Sequence, residues 1–337
     1  MSASNLRWRR VAVALGLTAA AALAHAQAGA TPGSAAPAGS GPHPALMESP
    51  AGLPTHTLYR PRDLAALGAA RLPLVVWGNG ACVNIGNRFR PFLTEIASHG
   101  FAVLALGPIV DLGTAAVGDP AGMPSTPASG SPAARAAAQG ALPARISGGN
   151  RPSDTTPAQM IEAIDWAIAE NRRSGSPLAG RIDTAQIAVM GQSCGGLQAI
   201  DAARDARVKT LGVWNSGLFT DDQRAWVIAA ANVTKASLKT LHTPVIYVTG
   251  EPSEVAFDNA DDDFARIDHL PVVRAWREGT GHAGTYREIN GGAYAPVAVA
   301  WLRWQLKGDP EAASMFRGER CGLCVDPKWH MKTKRID

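Results

Sequence analysis

The chain has 337 residues, 46% of them hydrophobic and 18% charged, with a formal net charge of +4 at pH 7. That length is ample for one large core. Arg7, Arg9 and Arg10 carry much of the excess, since without them +1 remains, and no basic patch argues for a nucleic-acid partner.

Residues 1–26 read as a signal peptide. Arg7, Arg9 and Arg10 form a basic start, Val11 to Leu23 an apolar run, and Ala24-His25-Ala26 a small-residue cleavage site. The apolar run is short for a bilayer span, and nothing later suggests stable membrane insertion. Export to the periplasm or the extracellular space follows. Residues 27–54, rich in Ala, Gly, Pro and Ser, are expected to be a flexible leader.

From 55 to 310 short apolar runs alternate with helical patterns. Strands are expected over Leu72–Trp77, Phe101–Leu106, Ile187–Met190, Thr210–Trp214, Val245–Thr249 and Val272–Trp276. Helices are expected over Arg90–Ser98, Pro157–Asn171, Asp261–Ile267 and Pro296–Leu306, the second capped by Thr155 or Thr156 with Pro157 in its first turn. Apolar strands without in–out alternation, separated by helices, predict a single α/β domain with a mostly parallel central sheet covered on both faces. Residues 111–150 are low-complexity and long for a loop, either a lid that contacts substrate or an unstructured insertion. Residues 311–337 read as a polar C-terminal tail with a C-x-x-C.

One stretch stands out chemically. Gly191-Gln192-Ser193-Cys194-Gly195 is a G-x-S-x-G placed where strand turns into helix, the setting of an exposed nucleophilic serine. Of the eight histidines, His282 lies in the glycine-flanked loop Gly279-Thr280-Gly281-His282-Ala283-Gly284, after the last expected strand, and is the candidate general base. The orienting acid should follow the strand Val245–Thr249, where Glu254 is favoured, Asp258 is the alternative and Glu251 a third choice. Asp261, Asp262 and Asp263 read as an acidic first helical turn, because metal-ligand spacing is missing. An oxyanion hole would take the backbone N–H of Cys194 and that of Ala81, in the loop Gly78-Asn79-Gly80-Ala81-Cys82. Trp214, at a strand end, either lines an acyl pocket or belongs to the core.

Four cysteines in an exported chain favour disulfides. Cys321 and Cys324 are expected to form a local bridge. Cys82 and Cys194 each adjoin one half of the expected oxyanion hole, and are either bridged or two buried thiols.

The chain order of oxyanion loop, serine, carboxylate and histidine resembles the α/β-hydrolase superfamily from about Leu72 to Lys307. In detail it is similar to the branch of chlorophyllases, dienelactone-hydrolase-like proteins and cutinase-like polyester hydrolases. In several of these the acid lies four residues after a strand-ending glycine, which maps onto Gly250 and Glu254. The stretches 95–104 and Gly281–Tyr286 also resemble exported members of the superfamily. Glu for the commoner Asp, Asn79 in the oxyanion loop and the insertion depart from the pattern. The resemblance implies cleavage of a small-molecule or polymeric carboxylic ester through an acyl-enzyme, without metal or cofactor. The same triad also serves amide or peptide hydrolysis, and a non-catalytic binding protein could keep the fold.

Overall fold

The computed structural model describes residues 38–111, 155–220 and 231–336. The expected signal peptide, the first part of the leader, and the insertion from 112 on lie outside the described residues.

Nine strands among the described residues form one sheet: β1 (Ala45–Glu48), β2 (His56–Pro61), β3 (Leu72–Gly78), β4 (Ala102–Leu106), β5 (Ile182–Gln192), β6 (Val208–Trp214), β7 (Val245–Thr249), β8 (Val272–Arg277) and β9 (Trp329–Lys334). Their order is β1-β2-β4-β3-β5-β6-β7-β8-β9. Strands β3 to β8 run parallel, while β1, β2 and β9 add antiparallel margins. Parallel strands need crossovers, and the helices between them are α1 (Arg90–Ser98), α2 (Pro157–Arg172), α3 (Cys194–Ala202) and α4 (Phe257–Arg266), while α5 (Tyr294–Lys307) follows β8. Two short helices follow, α6 (Pro310–Ala313) and α7 (Gly322–Val325).

Side-chain alternation divides the interior into two layers. Val75 and Trp77 point to the face covered by Phe92 and Ile96 of α1 and by Trp301 and Leu302 of α5. Leu74 and Val76 point to the other face, covered by Met160 and Ile164 of α2 and Ile200 of α3. With both faces dry, the strands carry apolar residues throughout, as expected from their composition. The order β4-β3-β5 makes the chain reverse its direction of travel between β3 and β5. Loops leaving those two strands diverge to opposite faces at the sheet's C-terminal edge, the switch point at which such sheets usually place their ligand crevice.

The structure corrects the ends of the domain. The expected leader contains β1, and it is tied to α1 before that: Ser40 N–H and Oγ donate to Glu95 at 2.7 and 2.6 Å, and His43 N–H donates to Ser98 O at 3.0 Å. Gly39 and Gly41 allow this approach, because a Cβ on either would overlap Ser98. The small residues that lower hydrophobicity here are those that let the backbone dock. The expected tail is likewise structured: β9 pairs with β8, and Trp329 packs against Tyr294 with ring centroids 5.8 Å apart. Phe316 packs on Trp301 at 5.5 Å.

Helix α4 begins at Phe257, four residues earlier than expected, so Asp258 occupies its first turn and Asp261–Asp263 lie inside it. Asp263 is wholly buried, where it accepts from Lys235 Nζ at 2.6 Å and Leu218 N–H at 2.8 Å. Burial pushes its carboxyl up to about 6 despite Lys235. Among the described residues no helix is long and apolar enough to cross a membrane.

Candidate active site

Ser193 stands alone between the last residue of β5 and the first of α3, with φ 53° and ψ −120°. A non-glycine residue in such a conformation carries strain on the order of 1–3 kcal/mol, and persists only where the surroundings impose it. Ser193 N–H donates to Trp214 O at 2.9 Å, and Ser216 Oγ donates to Ser193 O at 2.7 Å. The flanking glycines have a steric reason. A Cβ on Gly191 would run into the carbonyl of Gly195, and one on Gly195 would run into the carbonyl of Gly78. The elbow therefore seats directly against the end of β3.

His282 reaches the serine from the loop between β8 and α5, its Nε2 2.9 Å from Ser193 Oγ. Its Nδ1 is hydrogen-bonded to Glu254, whose other oxygen accepts from Ala256 N–H at 3.1 Å. Glu254 is buried at the end of the segment leaving β7. The structure thus brings Glu254 to His282, while Asp258 is carried away on α4 and Glu251 bonds Ser253 Oγ and Gly279 N–H. Behind the acid lies Arg274, wholly buried on β8. Burial pushes its guanidinium down to about 10, and the carboxylates of Asp261 and Glu254 oppose that fall.

The histidine loop is fastened at three consecutive carbonyls, each by a different strand end. Glu251 N–H, after β7, donates to Thr280 O at 2.8 Å. Asn215 Nδ2, after β6, donates to Gly281 O at 3.4 Å. Gln192 Nε2, at the end of β5, donates to His282 O at 3.1 Å. Asn215 is itself oriented by Tyr286 Oη, 2.6 Å from its Oδ1. Sequence reasoning missed these positioning side chains. The signal was present in Gln192, the variable residue of the serine motif, and in Asn215-Ser216 beside Trp214.

The other side of the crevice is the loop after β3. Ala81 and Cys82 both adopt left-handed backbone conformations, φ 54° and 50°. Asn79 Nδ2 grips the loop by donating to Ile85 O at 2.9 Å and Leu106 O at 2.8 Å. Thr155 donates through both N–H and Oγ1 to Cys82 O. Cys82 is disulfide-bonded to Cys194, the residue after Ser193, with Cα atoms 5.3 Å apart. A second bridge joins Cys321 and Cys324. No described residue accepts from the backbone N–H of Ala81 or Cys194.

Trp214 is a correction. Its side chain is fully buried, edge-on to Phe92 at 5.6 Å and packed on Tyr294 at 5.8 Å, so it lines no acyl pocket. An indole is large enough to bridge sheet and helices, and here it points into that layer while its carbonyl serves the elbow. Among the described residues no three His, Cys, Asp or Glu side chains gather as metal ligands.

No curated protein matches the chain. A family model, PETase: PET hydrolase-like, matches residues 144–263, which include Ser193, Cys194, Trp214 and Glu254 and end before His282. The sheet order, the elbow at its switch point and this match converge: the chain is an α/β-hydrolase-fold protein, similar across residues 144–263 to the PET hydrolase-like family.

Proposed function

We propose that the protein is an exported serine hydrolase that cleaves carboxylic esters, small or polymeric, through a Ser193–His282–Glu254 triad and an acyl-enzyme. The observation that carries this reading is the unbroken relay from Ser193 Oγ through His282 to Glu254, set at the sheet's switch point.

With Nδ1–H donated to Glu254, the neutral imidazole keeps Nε2 free to accept the serine proton. Ser193 attacks the acyl carbonyl while His282 takes its proton, and Glu254 stabilises the imidazolium. The tetrahedral oxyanion is held by the N–H groups of Ala81 and Cys194, the latter at the N-terminus of α3 where the helix dipole also favours negative charge. His282 then returns the proton to the leaving alkoxide, and water repeats the cycle to free the acid. Export is supported by the basic, apolar and A-x-A pattern of residues 1–26, and by two disulfides, which persist in oxidising compartments. Ester specificity is supported by similarity to a family described as PET hydrolase-like.

Turnover of a short-chain p-nitrophenyl ester by wild type, abolished in Ser193→Ala, is the expected result. Equal turnover by both proteins contradicts the serine mechanism. A matched anilide run in parallel separates esterase from amidase.

A further inference from the structure

We infer that the Cys82–Cys194 bridge is a positioning element for the oxyanion hole, so that turnover, and not substrate binding, depends on its oxidation; the inference rests on the hydrolase reading above. The two candidate donors belong to segments 112 residues apart in sequence, and the bridge joins the residue after Ala81 to the residue after Ser193. Among the described residues no hydrogen bond links Ala81 or Cys82 directly to Ser193 or Cys194. Thr155, which holds Cys82 O, also accepts from Gln198 of α3, so the bridge is the direct tie between the two donors' segments and Thr155–Gln198 an indirect one.

The loop needs such a tie. Ala81 and Cys82 are consecutive non-glycine residues with left-handed backbones, a conformation L side chains leave when they are released. Asn79 grips the loop from behind, at Ile85 and Leu106, and Thr155 holds the Cys82 carbonyl. Those contacts, with the turn bonds from Cys82 N–H to Asn79 O at 3.1 Å and from Val83 N–H to Gly80 O at 3.4 Å, shape the loop locally without joining Ala81 directly to the elbow. Gly80 lies directly against the Gln192 side chain, with no room for a Cβ, so the loop is also pressed onto the elbow. Both cysteines are buried.

Forming the bridge removes two electrons and two protons from the thiols, which a disulfide or quinone acceptor must take up. A chain still in a reducing compartment would then carry its Ser–His–Glu relay, held by hydrogen bonds alone, but not an assembled oxyanion hole. Oxidation after export would complete the enzyme.

The test compares the native protein with Cys82→Ser/Cys194→Ser and Cys82→Ala/Cys194→Val, using Cys321→Ser/Cys324→Ser as the control bridge. Rates are normalised to the fraction folded by near-ultraviolet circular dichroism. Losing an oxyanion donor typically lowers kcat about 10²- to 10³-fold. The expected result is a fall in kcat of at least tenfold, KM within about twofold, and a matching loss of affinity for a trifluoromethyl ketone, which forms the oxyanion adduct. A fall in kcat below tenfold, or a loss that appears in KM alone, overturns the inference. Should neither double variant fold, the control-bridge variant is reduced with a water-soluble phosphine and its thiols counted by alkylation. Loss of turnover with the folded signal retained supports the inference. Turnover that survives reduction, or fails only in step with unfolding, overturns it. Inactive native protein would instead defeat the ester-hydrolase reading, so the two failures are distinguishable.

Discussion

The two sides of the crevice are held by different forces. On the side of β5 to β8, the histidine loop is fixed by hydrogen bonds from Glu251, Asn215 and Gln192 to three successive carbonyls. On the side of β3, the loop carrying Ala81 is bent into left-handed geometry and joined covalently to the elbow through Cys82–Cys194. A proton relay tolerates small adjustments, because donor and acceptor can follow one another. On the proposed reading the Ala81 N–H is aimed at a charge that exists only in the transition state and has no ground-state partner of its own. Its aim then rests on the grip of Asn79 and Thr155 on the loop and on the crosslink.

That contrast is broken most severely by removing the relay. Ser193→Ala or His282→Ala should lower kcat by roughly 10⁴- to 10⁶-fold without changing the thermal midpoint much, as steady-state ester hydrolysis and calorimetry will show. Glu254→Gln should lower kcat by about 10³- to 10⁴-fold, whereas Asp258→Asn, on α4, should stay within about threefold of wild type. Reversed sensitivities would transfer the acid role to Asp258.

Single fasteners should matter less than the relay they support. Gln192→Ala and Asn215→Ala each remove one bond to the histidine loop, and each should lower kcat about tenfold while KM holds. An Asn215→Ala enzyme with wild-type kcat would show that the remaining two anchors suffice.

The smallest effect separates the site from its frame. His56 is fully buried on β2, and burial depresses its imidazole from the ordinary value. The folded state then holds fewer protons on it than the unfolded state. Its contribution is present above the unfolded value of about 6.5 and declines as pH falls through that range toward the depressed one. The urea midpoint of wild type should drop more between about pH 7.5 and 5.5 than that of His56→Gln. Equal slopes would remove His56 from the acid response.

Much of this was legible in the residues themselves. Ser193, His282 and Glu254 are found where the strand-end pattern places them, because glycines mark both loops and the strand apolarity marks their ends. The Cys82–Cys194 pairing was readable only as one of two options, since it depends on β3 and β5 being neighbours. The edges were not legible. β1 and β9 are short marginal strands whose stability comes from pairing and from docking on Glu95, Ser98 and Tyr294, contacts distant in sequence. The choice between pocket and core for Trp214 was illegible for the same reason. A strand end fixes which residues neighbour the crevice, while the packing of Phe92 and Tyr294 decides which face an indole takes.

Activation of Ser193 by His282 is read most directly from the intact mass and peptide map of protein treated with a fluorophosphonate. One adduct per chain is expected, on Ser193, in wild type, with near-complete loss in His282→Ala. An unlabelled wild-type protein, an adduct on another residue, or labelling indifferent to His282 would contradict it.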